Sequence, residues 1–243
     1  MAALLKRVSL RTVEKDENVT LVDSYDVCGF LLEIGVRPFS ELGFGTSVWG
    51  ACRALCHYFE KQKVKFYNKK VIELGAGTGM LGILAVLLGG EVTITDRPGL
   101  LKIIERNVSV NVPYPDRSRA TVSALSWGYD HTLFPSDYDF ILGGDILYQP
   151  ANIPLLLKTI QHLSNEMTTI YFASPMSIHR RMISFTYQKL AEYFHIDLVA
   201  RYEDEDINVY KMTKIGSSYW RAPPVIEDEF NFSYNAMING FAR

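Results

Sequence analysis

The sequence has few of the features that mark extracellular and membrane proteins. Its 243 residues include only three cysteines, Cys28, Cys52 and Cys56, too few for a full disulfide framework and without the C-x-x-C spacing of a zinc site. The longest apolar run, residues 80–90, is too short to span a bilayer. The apolar part of the N-terminus is too short for a signal peptide. We therefore expect a protein of a reducing intracellular compartment that does not bind a membrane.

An excess of positive charge is also missing. Lysine and arginine number 25 against 27 aspartate and glutamate residues, so the net charge is −2. This balance provides no broad basic surface for phosphate contacts, and nucleic acid is not an expected partner. The five histidines are scattered and show no ligand spacing, so no metal is expected. The hydrophobic content, in contrast, is 48%, which is typical of a globular domain with a substantial core.

The first forty residues predict a β-rich appendage. Residues 8–13 alternate apolar and polar side chains, as a half-buried strand does, and two further short runs follow at 19–22 and 29–34. The next apolar residues, from Val48 to Phe59, have helical spacing, and Thr46 or Ser47 is a candidate cap.

From residue 70 onward, short apolar strands alternate with amphipathic helices. Strands are predicted at 70–74, 92–96, 120–123, 138–142, 168–173, 195–200 and 207–212, and helices at 80–88, 100–110, 153–163 and 180–194. This alternation predicts an α/β fold, a Rossmann-like doubly wound sheet that binds ligands at the carboxyl ends of its strands. We expect three segments: the appendage over 1–40, the α/β domain over 41–214, and an irregular tail over 215–243.

The strongest local signal is a glycine-rich loop between a strand and a helix. Gly75, Gly77 and Gly79 follow the first strand of the α/β domain, Glu73 precedes them, and Asp96 ends the next strand. Glycines at this point let a ligand approach main-chain N–H groups, and a carboxylate at the next strand end is placed to accept both hydroxyls of a ribose. There are two alternatives to this interpretation. The glycines could form only a tight turn, with Asp96 as a helix cap, or the loop could bind NAD.

In this pattern the chain resembles the class I S-adenosylmethionine methyltransferases. Five motifs narrow the resemblance to the methyltransferase-like 21 group: Ser47-Val48-Trp49, the run 73–79, Thr95-Asp96-Arg97, Leu125-Ser126-Trp127-Gly128 and Gly144-Asp145-Ile146-Leu147-Tyr148. Members of that group methylate lysines on non-histone proteins such as chaperones, ATPases and translation factors. The resemblance covers roughly residues 40–213 and implies a seven-stranded sheet whose last strand is antiparallel. It also implies S-adenosylmethionine as cofactor and a protein substrate that presents a lysine.

The resemblance implies two sets of site residues. The catalytic pair is Asp145 and Tyr148, which would orient the lysine beside the methyl group. The cofactor-binding set is Trp49, Glu73, Gly75, Ala76, Gly77, Thr78, Gly79, Asp96, Arg97, Trp127 and Gly144. In this set Trp127 would stack on the adenine, Asp96 would bind the ribose, and Glu73 would support the loop or the cofactor's amino group.

For several of these residues, a purely structural role is the alternative to a functional one. Trp49 and Trp127 could be core side chains, and Asp145 could cap the next helix while Tyr148 packs. The acidic run 203–206 could meet a basic substrate surface or form a solvated loop. For the whole protein, a small-molecule methyltransferase and a non-catalytic cofactor-binding module are the alternatives. The resemblance implies a cytoplasmic location, with the nucleus left open, and the pattern does not predict an oligomeric state.

Overall fold

The computed structural model describes residues 7–15, 18–37, 44–176 and 180–216. The first strands, β1 (Arg7–Lys15), β2 (Asn18–Val27) and β3 (Phe30–Val36), form an antiparallel sheet in the order β1-β2-β3. The predicted β-appendage is therefore confirmed as a three-stranded meander. Apolar residues of β2 and β3 are buried, among them Tyr25, Val27, Leu32 and Ile34.

The rest of the described chain alternates helices and strands. The elements are α1 (Gly50–Gln62), β4 (Lys70–Glu73), α2 (Met80–Leu87), β5 (Glu91–Asp96), α3 (Leu101–Asn111), β6 (Ala120–Ala124), β7 (Phe140–Gly144), α4 (Ile153–Leu163), β8 (Thr169–Pro175), α5 (Arg180–Leu190), β9 (Phe194–Tyr202) and β10 (Ile207–Lys214). The seven strands β4–β10 form one sheet in the order β6-β5-β4-β7-β8-β10-β9. Because β10 runs antiparallel to both β8 and β9, the predicted fold with an antiparallel last strand is confirmed.

Helices cover both faces of this sheet, which explains why its central strands are continuous apolar runs. Helices α1, α2 and α3 pack with the N-terminal sheet in one apolar cluster, and α4 and α5 pack in a second cluster on the other face. Cys56 lies in the first cluster with no exposed surface. None of the helices in the described part of the chain is long and apolar enough to cross a membrane.

Some local predictions were wrong. Helix α1 begins at Gly50 without a side-chain cap, because the Thr46 hydroxyl donates instead to the Arg37 carbonyl (2.7 Å). Helix α5 ends at Leu190, because the chain already enters β9 at Phe194. The predicted tail lies outside the described residues from 217 onward.

Candidate active site

A cavity of about 830 Å³ lies at the carboxyl ends of β4, β5, β7 and β8, beside the start of α1. This is the edge at which an open α/β sheet binds its ligands. The cavity brings together eleven of the thirteen predicted site residues: Trp49, Gly75, Ala76, Gly77, Thr78, Asp96, Arg97, Trp127, Gly144, Asp145 and Tyr148. The other two, Glu73 and Gly79, do not line it.

The glycine loop is held in a turn that only glycine adopts readily. Gly77 has φ +58°, and a Cβ built on it would lie 2.8 Å from the carbonyl oxygen of Gly45. Its neighbours are fixed by main-chain bonds: the Ala76 N–H donates to the Thr95 carbonyl (3.0 Å) and the Gly79 N–H to the Ala76 carbonyl (2.8 Å). The loop therefore presents bare backbone to the cavity, as a ligand-binding loop requires.

Asp96 connects this loop to the end of β5. One carboxylate oxygen accepts the Gly77 N–H and the other accepts the Arg97 N–H, both at 2.7 Å. Burial raises the pKa of Asp96, and the two N–H donors oppose that rise. Each carboxylate oxygen has a second lone pair, so the side chain can still accept hydrogen bonds from a ligand in the cavity.

Glu73 lies beneath the loop, between β4 and α2. Its carboxylate accepts the Gly82 N–H (2.8 Å), and its carbonyl accepts the Thr95 hydroxyl (2.6 Å). Burial raises the pKa of Glu73 to about 8, against the lowering effect of the Gly82 bond. The side chain is thus placed to brace the start of α2 behind the glycine loop.

Two tryptophans flank the cavity in different settings. Trp49, the residue before α1, is 43% exposed, so it is not a core side chain. Trp127 is half-buried, and its ring atom Cζ2 would lie 3.1 Å from a Cβ built on Gly75. The indole of Trp127 therefore lies against the glycine loop, where a flat ligand can pack on it.

Asp145 and Tyr148 lie just after β7. Asp145 has φ +61°, a left-handed conformation that Asp tolerates better than most residues, and its N–H donates to the Ala173 carbonyl (3.0 Å). Burial raises the pKa of Asp145 to about 6. Within the described part of the chain its carboxylate has no hydrogen-bonding or ionic partner. It does not cap the next helix, since α4 begins only after Asn152.

Tyr148 completes this end of the cavity. Its side chain is 42% exposed, so it is not packed in the core. Burial of the phenol raises its pKa, so it stays protonated near neutral pH and can donate a hydrogen bond.

Sequence reasoning missed several lining residues, among them Cys52, Ser174 and Glu205. Ser174 could have been found, because it comes at the carboxyl end of β8. Cys52 lies there because α1 approaches Gly144 so closely that a Cβ on that glycine would be 3.0 Å from the Cys52 Cα. Glu205, in the acidic connection between β9 and β10, accepts a hydrogen bond from Arg53 (2.8 Å) at the rim. Across the described residues, His, Cys, Asp and Glu form no group of three or more that could hold a metal.

Comparisons with known proteins agree with this geometry. A family model described as lysine methyltransferase matches residues 36–192. EEF1A lysine methyltransferase 3 of Xenopus tropicalis is 47% identical over 190 residues, which cover 78% of this chain and 84% of that protein. Protein N-lysine methyltransferase METTL21A of Danio rerio is 40% identical over 179 residues, with coverage of 73% and 81%.

A solved structure shows the same fold at much lower identity. A 16S rRNA methyltransferase of T. thermophilus, solved in complex with AdoMet and guanosine, matches with a TM-score of 0.56 and 13% identity, over 85% of this chain and 58% of that one. The predicted enzyme class, a methyltransferase dependent on S-adenosylmethionine, is confirmed by these matches together. The chain belongs to the lysine methyltransferase family.

Proposed function

We propose that the chain transfers a methyl group from S-adenosylmethionine to a lysine of a translation factor, with EEF1A as the substrate. The main support is that one cavity is lined by a glycine loop with a paired acid and by Asp145, beside the Tyr148 phenol. Among the described residues, the Asp145 carboxylate has no hydrogen-bonding or ionic partner. The choice of substrate is supported by the 47% identity to EEF1A lysine methyltransferase 3, against 40% for METTL21A.

The residues that line the cavity suit the chemistry of the cofactor. The backbone between Gly75 and Thr78 would hold the methionine part, Asp96 would accept the ribose hydroxyls, and Trp127 would pack on the adenine. A side chain at Gly77 would collide with the Gly45 carbonyl, so the loop keeps the space that the ligand needs. Bound S-adenosylmethionine supplies an electrophilic methyl group on a positively charged sulfur.

The protein's own residues have to bind the substrate lysine and orient its amine for attack on the methyl group. A free lysine ε-amine has a pKa of about 10.4 and is protonated at neutral pH. The carboxylate of Asp145 attracts this ammonium into the cavity, and the Tyr148 phenol oxygen orients it by accepting one of its N–H bonds. After the proton leaves to water, the neutral amine is held in line with the methyl group, and exclusion of water strengthens this positioning.

The test is methylation of purified EEF1A by the purified chain with labelled S-adenosylmethionine, followed by mass spectrometry of the labelled lysine. Asp145→Asn is the informative variant, because Asn keeps the volume and tolerates the left-handed backbone at this position. We expect Asp145→Asn to lower the methylation rate by about 100-fold or more while the affinity for S-adenosylhomocysteine stays within about twofold, because a positioning charge is lost and the loop is not touched.

The outcomes separate the parts of the proposal. Label on another protein of a cell extract, with EEF1A unlabelled, would refute the substrate but keep the activity. Cofactor binding without label on any protein would favour the non-catalytic module. Label on a small molecule would favour the small-molecule methyltransferase.

A further inference from the structure

A single buried side chain connects the N-terminal sheet to the glycine loop. Asn107, on α3, is only 1% exposed. Its amide oxygen accepts the Gly35 N–H of β3 (2.8 Å), and its amide nitrogen donates to the Gly35 carbonyl (3.1 Å). The same nitrogen donates to the Thr78 carbonyl of the glycine loop (2.9 Å). One amide therefore bonds a β-strand and the candidate cofactor loop at once.

The Thr78 bond matters because the glycine loop has little intrinsic rigidity. Three residues of the loop, Gly75, Gly77 and Gly79, have positive φ, and glycine loses more conformational freedom on folding than any other residue. The peptide between Thr78 and Gly79 is held at both ends: its N–H donates to Ala76 and its carbonyl accepts from Asn107. Without Asn107 this peptide keeps only one of its two bonds.

The loop's hydrogen bonds to the rest of its own β-α-β unit have a different origin. Asp96 holds the Gly77 N–H and Thr95 holds the Ala76 N–H, and both acceptors belong to β5. Asn107 instead approaches from α3, and it is itself fixed in place by the two bonds to Gly35. The orientation of the loop therefore depends on the docking of β3.

We propose that Asn107 is a positioning residue for the cofactor, and that through it the N-terminal sheet sets cofactor affinity rather than the choice of protein substrate. The proposal rests on the cofactor site proposed above. It assigns no contact between Asn107 and the cofactor, because Asn107 acts through the Thr78 carbonyl and does not line the cavity.

Asn111, one helical turn further along α3, is a matched control. Its amide also exchanges two hydrogen bonds with β3, at the N–H (2.7 Å) and carbonyl (2.9 Å) of Glu33. Its third bond goes to the Asn107 carbonyl (2.8 Å) and not to the glycine loop. Loss of Asn111 therefore weakens the docking of β3 to a similar degree but leaves the Thr78 bond in place.

The experiment measures the affinity of Asn107→Ala, Asn111→Ala and the unchanged chain for S-adenosylhomocysteine by calorimetry, at a temperature where all three are folded. We expect Asn107→Ala to raise the Kd about tenfold and Asn111→Ala to change it less than about twofold, since only the first frees a loop carbonyl. In steady-state assays the KM for S-adenosylmethionine should rise in Asn107→Ala, with an unchanged KM for the protein substrate.

Equal changes in Kd for the two variants would overturn the proposal, as would a change confined to the KM for the protein substrate. If Asn107→Ala does not fold, Asn107→Asp decides instead. It keeps the volume and the acceptor for the Gly35 N–H but has no donor for the Thr78 or Gly35 carbonyl, so a rise in Kd of at least the same size is expected. Failure of the unchanged chain to bind S-adenosylhomocysteine would refute the proposed cofactor site itself, which is a different outcome.

Discussion

Three of the carboxylates near the cavity, Glu73, Asp96 and Asp145, differ because of what surrounds each one; a fourth, Glu205, is paired with Arg53 at the rim. Glu73 is buried behind the loop and bonded to Gly82, and Asp96 is bonded to two main-chain N–H groups. Asp145 is half-buried with no partner among the described residues, and its pKa is raised to about 6 by burial alone. Since the first two are already occupied by the protein's own donors, Asp145 is the carboxylate best placed to receive a cation.

The raised pKa of Asp145 predicts a particular pH profile. The fraction of neutral lysine falls about tenfold per pH unit below its pKa of about 10.4, so log kcat/KM for the protein substrate should rise with a slope of one. Below about pH 6 Asp145 also becomes protonated and loses its attraction for the ammonium. The slope should therefore change to two below that pH, measured at saturating S-adenosylmethionine.

The pKa of Asp96 is raised as well, so protonation of Asp96 could also change the pH profile. Its contribution has to be distinguished from that of Asp145. Calorimetry with S-adenosylhomocysteine over the same pH range provides the control, and its Kd should stay constant where the slope changes. A slope of one that continues down to pH 5 would contradict the role of Asp145.

At the scale of elements, the site is the meeting point of strand ends and the start of one helix. The loop after β4, the acid that ends β5 and the residues after β7 converge because parallel strands end at one edge. Helix α1 closes this edge through its contact with Gly144. The loop geometry is the most demanding part, because an added Cβ would lie 2.9 Å from Ile146 at Gly75 and 2.8 Å from the Gly45 carbonyl at Gly77.

Gly77→Ala tests this demand, with Gly29→Ala as its control. Both glycines have positive φ, at +58° and +79°, so each substitution should lower the free energy of unfolding by about 1–2 kcal/mol. At Gly29, in the turn between β2 and β3, an added Cβ meets nothing within 4 Å, whereas at Gly77 it meets the Gly45 carbonyl at 2.8 Å. We expect only Gly77→Ala to weaken S-adenosylhomocysteine binding, by about tenfold or more, in calorimetry. An equal loss of affinity in both variants would contradict the placement of the loop.

At the scale of the whole molecule, the N-terminal sheet and the seven-stranded sheet share one apolar cluster. Residues of β2 and β3 belong to the same cluster as those of α1, α2 and α3. A sheet of three strands gains independent stability only by packing a hydrophobic face against other elements. We therefore expect the appendage and the methyltransferase fold to unfold together.

Ile34→Ala measures this coupling. Ile34 in β3 has no exposed surface, so its loss should cost about 2–5 kcal/mol of the free energy of unfolding. Denaturant unfolding followed by far-UV circular dichroism and by tryptophan fluorescence should keep a single shared midpoint. Leu31 in the same strand is 61% exposed, and Leu31→Ala should change stability by less than about 0.5 kcal/mol. Two separate transitions in Ile34→Ala would show that the sheet folds independently.

The sequence by itself determined the features that depend on local pattern. Alternating strand and helix periods predicted each strand of the seven-stranded sheet to within a few residues. The signal is strongest for the central strands, because strands buried on both faces must be apolar. The glycine motif and Asp96, which ends the next strand, predicted the sheet edge at which the cavity lies, because a parallel sheet gathers such residues at one edge.

Only the tertiary structure decided what depends on distant segments meeting. In the sequence, Asn107 has no feature that distinguishes it from other helical residues. Asn107 and Gly35 are 72 residues apart in the chain, and they bond only because β3 docks on α3. The bond from Asn107 to Thr78 likewise depends on the tertiary structure. Cys52 and Glu205 line the cavity because α1 and the β9–β10 connection close over the sheet edge. Long-range contacts of this kind produce no periodic pattern in a single sequence. Each partner fits the residue pattern of its own helix, strand or loop, and that pattern does not depend on the other partner.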